Sequence, residues 1–185
     1  ECVAIATECG DSVLPFFIID PWFYGNANSG RAMRIRFLFE SLVDLDKNLR
    51  DRGSQLYLLE GQSVEIIQRL TQFFQAQGQT PRLLFNRDAQ VKYGVDRDRD
   101  IQKLYRDQNL DIFLGVNHYM QIPKLNWETW LKDLKQYRKS QPFGTPKSFN
   151  SPKLSRSSSG LPIIDFATLF QTYKQFWKTD RVYFS

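Results

Sequence analysis

The chain has 185 residues, of which 42% are hydrophobic and 15% aromatic, with a formal net charge of +5 at pH 7. This composition is sufficient for a packed core and excludes an intrinsically disordered chain. The small positive charge permits contact with nucleic acid but does not argue for it, because acidic residues are interspersed with the basic ones. The longest apolar run is Val13–Ile19, far short of the roughly 20 residues of a membrane helix, so no membrane partner is predicted.

The few cysteine and histidine residues restrict the chemistry further. Cys2 and Cys9 lie seven residues apart on a predicted helix, too far from each other for a disulfide, and His118 is the only histidine. These three residues cannot complete a four-ligand zinc site, so no metal site is predicted. Free thiols suit a reducing compartment and nothing resembles a secretory signal, so we expect an intracellular location, in the cytoplasm or nucleus.

The hydrophobic pattern of the first two thirds of the chain predicts strands alternating with helices. Strands are predicted at 13–19, 55–59, 82–85 and 111–114, and helices at 33–50, from Ser63 onward, and at 96–108. This alternation is typical of an α/β fold with a Rossmann-like parallel sheet flanked by helices. We expect the first three strands to lie in one parallel layer.

The pattern changes after the fourth strand. A further helix carries Trp127 and Trp130, and a Ser/Pro-rich basic linker is predicted at 142–160. The C-terminal tail, 161–185, has an aromatic stripe at helical spacing, which we expect to dock on the same chain rather than on a partner. The predicted organisation is therefore an α/β domain at 1–141, the linker, and a helical tail.

Parallel sheets bind ligands at the carboxyl ends of their strands, which selects the loops at 20–30, 60–63, 86–93 and 115–118. The first loop holds Gly25 and Gly30, but Arg31 and Ala32 occupy the places where a phosphate-binding P-loop needs Lys and Ser or Thr. The dinucleotide fingerprint G-x-G-x-x-G is missing as well. An ordinary loop is predicted here, although the helix that follows could meet an anion at its N-terminus.

No catalytic residue is predicted. A G-x-S-x-G nucleophile motif is missing, and His118 is interpreted as an ordinary loop residue. The alternating acidic and basic residues of Asp96–Asp100 are interpreted as a solvated salt-bridge face rather than as metal ligands.

Four segments together resemble the N-terminal α/β domain of the photolyase/cryptochrome family. These are Arg34-x-Arg-Phe-Leu-Phe-Glu-Ser-Leu-x-Asp-Leu-Asp46, Gly53-Ser-x-Leu-x-Leu-x-x-Gly61, Leu14-Pro-Phe-Phe-Ile-Ile-Asp-Pro21 and Tyr93-Gly-x-Asp-Arg-Asp-x-x-Ile101. The resemblance covers roughly 1–118 and is most specific between Arg34 and Gly61.

The resemblance implies an antenna domain that binds a pterin (methenyltetrahydrofolate) or a deazaflavin and passes excitation energy to FAD in a following helical domain. The complete protein would be a deoxyribodipyrimidine photolyase, a lyase acting on damaged DNA, or a blue-light-signalling cryptochrome. Its partners would then be the FAD-binding domain and, for repair, damaged DNA. A flat pigment needs an apolar slot with a few polar anchors. The loops selected above offer six cofactor-binding candidates: Asp20, Asn86, Arg87, Asp88, Tyr93 and Arg97.

The sequence departs from the family pattern in three places. The family's first strand, which lies in the middle of the sheet, should precede Ala4 and is missing, so an N-terminally incomplete fragment or a degenerate product is expected. The FAD domain is also absent from this chain, so inactivity alone is expected. Asp88 is followed by Ala-Gln-Val-Lys-Tyr93 instead of the family's Glu-Pro pair. The alternative function is a non-enzymatic protein-interaction module that uses the linker and the tail as its contact surface.

Overall fold

The computed structural model describes residues 5–7, 12–24, 29–88, 91–115, 131–132, 135, 139 and 144–177. Strands and helices alternate along it, which confirms the α/β fold class. The elements are β1 (Phe16–Ile19), α1 (Pro21–Tyr24), α2 (Ser29–Arg50), β2 (Tyr57–Glu60), α3 (Ser63–Gln75), β3 (Leu83–Asn86), α4 (Lys92–Asp107), β4 (Ile112–Gly115), α5 (Arg156–Ser159), β5 (Ile163–Ile164), α6 (Phe166–Thr172) and a 3-10 helix (Lys174–Trp177).

The five strands form two sheets. In the first, β1 pairs in parallel with β2, and β5 pairs antiparallel on the other edge of β2. In the second, β3 and β4 pair in parallel. The expectation that the first three strands share one parallel layer is therefore wrong, because β3 pairs with β4 and with neither β1 nor β2.

The ladder between β1 and β2 uses one edge of β1. Tyr57 N donates to Pro15 O at 3.0 Å and Gly61 N to Ile19 O at 3.2 Å. Because backbone groups alternate in direction along a strand, those of Phe16 and Ile18 point away from β2. Among the described residues no strand pairs with that edge.

The chain divides into two compact units. The β1–β2 unit comprises residues 11–70 and 147–185, and the β3–β4 unit comprises residues 1–10 and 71–146. The predictions for Cys2, Cys9, His118, Trp127 and Trp130 fall outside the described residues.

The core of the β1–β2 unit forms around the inner face of α2. Ile35, Phe39, Leu42 and Leu49 are buried there, at helical spacing. Leu45 shares the helical spacing of Leu42 and Leu49, but its side chain is 44% exposed, because the buried face passes through Asp46 instead. The Asp46 carboxylate accepts hydrogen bonds from Leu56 N at 2.8 Å and from Arg50 Nε at 2.7 Å, which joins α2 to the start of β2.

The aromatic tail docks on the same chain, as predicted. Leu169, Tyr173 and Phe176 are buried in the core of the β1–β2 unit. At the N-terminus of α6, Asp165 Oδ1 accepts a hydrogen bond from Thr168 N at 2.7 Å and so caps the helix. The tail is thus part of the hydrophobic core of this unit.

Residues 147–160 also differ from the predicted linker. Phe149 and Leu154 are buried, Val13 N donates to Asn150 O at 2.8 Å, and Ser151 Oγ donates to Val13 O at 2.7 Å. The Ser- and Pro-rich composition predicted a solvated spacer, but Phe149 packs in the core of the β1–β2 unit and Phe149 N donates to Arg52 O at 2.9 Å.

The β3–β4 unit has a smaller described core. Leu83 of β3 is buried, as are Ile101 and Tyr105 on the inner face of α4. The Tyr105 hydroxyl shares a hydrogen bond of 3.0 Å with Thr71 Oγ1 near the end of α3. Burial raises the pKa of Tyr105, and the hydrogen bond with Thr71 opposes that rise only in part.

Candidate functional site

Five of the six predicted site residues belong to the carboxyl end of the second sheet. Asn86 ends β3, Arg87 and Asp88 follow it, and Tyr93 and Arg97 lie in the first turns of α4. Arg87 N donates to Gly115 O at 3.0 Å, which ties the residue after β3 to the last residue of β4. These five residues therefore lie at the end of the strand that the parallel-sheet argument selected, and their role as a binding site stays a prediction.

Asp98 organises this cluster, and the sequence analysis missed it. Its carboxylate is buried, at 2% exposure. Oδ2 accepts a hydrogen bond from Asp88 N at 2.7 Å, and Oδ1 accepts two from the Arg97 guanidinium, at 3.0 and 2.7 Å. The Asp98–Arg97 pair thereby fixes the backbone of the loop that follows β3.

The alternating Asp96–Asp100 segment is only partly the solvated face that was predicted. Asp96 does pair with Lys92 and Arg99 on the outside of α4, and its hydrogen bond from Lys92 lowers its pKa. Asp98 instead lies on the buried face, with Ile101 and Tyr105. Its spacing of three and seven residues from those apolar positions is the signal that could have identified it.

Gly94 permits the closest packing in the cluster. It is buried in the first turn of α4, and a Cβ atom added there would overlap the Asp88 carboxylate. The Asp88 side chain consequently lies directly against the helix backbone, where a carboxylate interacts favourably with the N-terminus. The glycine of the Tyr93-Gly94 pair therefore has a steric role at this site.

Arg87 is the cation at this edge that is available to a ligand. Asn86 and Arg87 are exposed, whereas Asp88, Tyr93 and Arg97 are half-buried. Among the described residues, no ion pair involves the Arg87 guanidinium. Arg97, by contrast, is committed to Asp98 and is 18% exposed. The edge can thus offer one exposed, planar cation to a carboxylate, phosphate or carbonyl group.

Asp20, the sixth predicted residue, belongs to the β1–β2 unit and is 1% exposed. Its Oδ2 accepts hydrogen bonds from Ser63 N at 3.0 Å and Ser63 Oγ at 2.6 Å, and its Oδ1 accepts from Trp22 N at 3.0 Å. These bonds join the end of β1 to the first residue of α3. The carboxylate is occupied by protein donors in this arrangement.

Two tyrosines of the β1–β2 unit belong to the same core region. The ring centroids of Tyr24 and Tyr173 are 5.7 Å apart, and Tyr173 stacks on Phe176 at 6.0 Å. Burial raises the pKa of Tyr24, with smaller contributions from Tyr173 and the charge of Asp20. Burial likewise raises the pKa of Tyr173, with help from the charge of Glu60 at the end of β2. The tail helix thus packs beside the residues that follow β1.

The described residues contain no group of three His, Cys, Asp or Glu side chains placed to hold a metal ion. They also contain no helix that is long and apolar enough to cross a membrane. Residues 25–28 of the first candidate loop lie outside the described part, so the rejection of a P-loop there depends on sequence alone.

The family model described as DNA photolyase matches residues 1–144. The chain belongs to the photolyase/cryptochrome family. Cryptochrome-1 of Sylvia borin is 33% identical over 118 residues, which are 64% of this chain and 17% of that protein. Cryptochrome-2 of Gallus gallus is 36% identical over 102 residues, 55% of this chain and 16% of that protein. The chain therefore spans about a sixth of the length of these cryptochromes.

Solved photolyase structures share the fold. The archaeal photolyase from Sulfolobus tokodaii, described with two FAD molecules and an implied novel light-harvesting cofactor, has a TM-score of 0.69 and 20% sequence identity, over 94% of this chain and 38% of that chain. A bacterial class III photolyase from Agrobacterium tumefaciens has a TM-score of 0.58 and 21% identity, over 83% of this chain and 32% of that chain. At these identities the likeness concerns the fold alone.

Proposed function

We propose that this chain is an antenna-pigment-binding α/β domain of a photolyase/cryptochrome-type flavoprotein. The pigment is a pterin (methenyltetrahydrofolate) or a deazaflavin, and it binds at the carboxyl end of the β3–β4 sheet. The exposed Arg87 guanidinium, which has no ion-pair partner among the described residues, is the observation that carries this proposal. Such a group recognises the carboxylate or carbonyl rim of a heterocyclic pigment.

The remaining residues have roles that follow from their contacts. Asn86 presents an exposed amide, and the half-buried Tyr93 offers an aromatic face for stacking. Asp88 and Arg97 act beneath them, because both are held by Asp98. Asp20 keeps the end of β1 and the start of α3 together, so its contribution is structural.

The activity of a complete protein is a separate part of the proposal. Repair of damaged DNA or blue-light signalling would use FAD held by a flavin domain, and of this chain we propose pigment binding only. The location, in the cytoplasm or nucleus, remains a prediction from the cysteine content of the sequence.

Optical titration of the purified chain tests the proposal. We expect methenyltetrahydrofolate or an 8-hydroxy-5-deazaflavin to bind saturably, with a change in pigment fluorescence. Arg87→Ala should weaken binding about tenfold, because it removes a charge-assisted hydrogen bond of about 1.5 kcal/mol. Arg99→Ala is the matched control, since Arg99 is an exposed arginine of α4 that pairs with Asp96. Failure of both pigments to bind, or equal weakening by the two variants, would contradict the proposal.

The interaction-module alternative has less support from the structure. It needs the aromatic tail as a contact surface, yet Leu169, Tyr173 and Phe176 are buried in the core of their own unit. The exposed part of the segment is polar and basic and includes Lys153 and Arg156. A partner that required the tail aromatics would have to unfold part of the β1–β2 unit.

A further inference from the structure

The charged side chains near the proposed site balance one another. Residues 86–100 contain four cationic side chains and four carboxylates, at Arg87, Lys92, Arg97, Arg99, Asp88, Asp96, Asp98 and Asp100. Three of the cations pair with carboxylates of α4, which leaves Arg87 as the cation without an ion pair among the described residues of this segment. Phosphate sites are typically built from several cations or free backbone N–H groups. This segment has no excess positive charge with which to hold a phosphate.

The N-terminus of α4 would ordinarily be the place for an anion at this edge. The first N–H groups of a helix have no acceptor within the helix, and α4 is 16 residues long. Its N-cap residue, Val91, makes no side-chain capping hydrogen bond, and its first turn contains no acidic residue. The anion that lies there instead is the Asp88 carboxylate, which packs against the backbone at Gly94. A negative charge of the protein itself thus already lies beside this helix end.

The Asp88 charge is kept near α4 by the residues around it. Asp88 N donates to Asp98 Oδ2 at 2.7 Å, and Asp98 is buried, at 2% exposure. Asp98 is in turn paired with the Arg97 guanidinium at 2.7 Å. Because the backbone of Asp88 is held against α4, its carboxylate stays close to any ligand that approaches the helix end.

A phosphate group would therefore meet repulsion at this site. At pH 7 it carries a charge of about −1.5 to −2, and Arg87 alone is available to it while Asp88 opposes it. The ring of a pterin or deazaflavin instead presents carbonyl groups to Arg87, without a second concentrated charge near Asp88. Like-charge contacts of this kind exclude wrong ligands more than they change the affinity for the right one.

We propose that the site at the carboxyl end of the β3–β4 sheet selects a pigment without a phosphate group, and that the Asp88 carboxylate is the group that excludes phosphorylated pigments such as flavin nucleotides. This inference rests on the proposed function, because it specifies which pigments the same site accepts.

Inorganic phosphate is the simplest probe, and amide chemical-shift titration of the labelled full chain follows it without any pigment. In the wild type we expect no saturable shift of the Lys92 and Tyr93 amides up to about 50 mM phosphate, measured against chloride of equal ionic strength. Asp88→Asn removes the negative charge beside the helix end. It should therefore produce a saturable shift of these amides, with a dissociation constant of about 10 mM.

Asp100→Asn is the matched control. It changes the net charge by the same amount, but Asp100 is exposed and lies six residues beyond Gly94 in α4, so this variant should respond to phosphate as the wild type does. The amide spectra themselves report whether each variant is folded, and Asp88→Ser is a second uncharged variant. An equal response of Asp88→Asn and Asp100→Asn would overturn the proposal, because net charge and not Asp88 would then exclude phosphate.

Pigment affinity in phosphate and in chloride completes the test. For whichever pigment binds, the wild-type dissociation constant should be the same in both salts, whereas that of Asp88→Asn should be about fivefold higher in 50 mM phosphate. Phosphate that displaces the pigment from the wild type, or that fails to act on either uncharged Asp88 variant, would overturn this inference alone. If neither pigment binds the wild type, the proposed function fails, and this inference fails with it.

Discussion

The two units of this chain use the same α/β pattern in different ways. In the β1–β2 unit, the residues after β1 are occupied by protein: Asp20 is bonded to Ser63, and the tail helix packs its aromatic rings beside Tyr24. In the β3–β4 unit, the carboxyl end has an exposed arginine, Arg87, and an ion pair between the buried Asp98 and the half-buried Arg97. This difference is the basis of our proposal that a ligand binds at the second unit, whereas the equivalent residues of the first unit have a structural role.

The largest effect should come from the core of the β1–β2 unit. Phe39 is fully buried and its ring lies 5.5 Å from that of Tyr24 and 5.6 Å from that of Tyr173. Phe39→Ala should lower the free energy of unfolding by about 3–5 kcal/mol, because it removes an aromatic ring and leaves a cavity. Phe37→Ala, two residues away and exposed, is the matched control in urea denaturation at low protein concentration. Equal effects of the two substitutions would contradict the assignment of the core face.

Asp20→Ala should have the next largest effect. It leaves the buried Ser63 N–H without its acceptor and removes the link between β1 and α3, at a cost of about 2–3 kcal/mol. Thermal denaturation would measure the loss, and Asp44→Ala, on the exposed face of α2, should change stability by less than about 0.5 kcal/mol. If Asp20→Ala instead abolished pigment binding in a protein of unchanged stability, Asp20 would be a ligand residue and not a structural one.

Gly94→Ala should affect the β3–β4 unit only. The added methyl group would displace the Asp88 carboxylate, at a cost of about 1–2 kcal/mol. Pigment binding should weaken, whereas hydrogen-exchange protection of β1 and β2 should be unchanged. Val95→Ala, at an exposed neighbouring position of α4, should leave both properties as in the wild type. If Gly94→Ala bound the pigment with unaltered affinity, Asp88 would not be part of the binding site.

The smallest effect concerns pH. The pKa of Tyr24 in the folded chain lies above its ordinary value of 10.0, because burial favours the neutral phenol. Folding stability from this group is therefore complete below pH 10 and is lost as the pH rises toward the folded-state pKa. Denaturation midpoints measured between pH 9 and about pH 11 should fall, and less steeply in Tyr24→Phe. An identical slope in both proteins would show that Tyr24 does not contribute.

The sequence predicted local structure well where apolar spacing is decisive. The alternating strands and helices follow from periodicity, and the docking of the tail aromatics follows from the cost of exposing large rings. The parallel-sheet argument, and not periodicity, selected the loop after β3 as a candidate site. The burial of Asp98 was not predicted, because a carboxylate is normally assigned to the surface even where its helical spacing matches that of apolar residues.

Long-range pairing was less predictable. The pairing of β1 depends on its neighbouring strands. The residues Phe16–Ile19 alone do not indicate which strands those are. The role of residues 147–160 was missed for a similar reason, since two buried side chains, Phe149 and Leu154, outweigh a polar composition. Leu45 has the helical spacing of a core residue, but Asp46 is buried in its place. The Asp46 carboxylate is held there by its hydrogen bond from Leu56 N.

The central claim is that the carboxyl end of the β3–β4 sheet, and not that of the β1–β2 sheet, receives a flat pigment. Amide chemical-shift mapping of the isotopically labelled chain, titrated with methenyltetrahydrofolate and separately with an 8-hydroxy-5-deazaflavin, tests this directly. The account predicts that one of the two pigments shifts the amide signals of Arg87, Asp88 and Tyr93 in a saturable manner. Shifts confined to Asp20 and Ser63, or no saturable shift with either pigment, would contradict it.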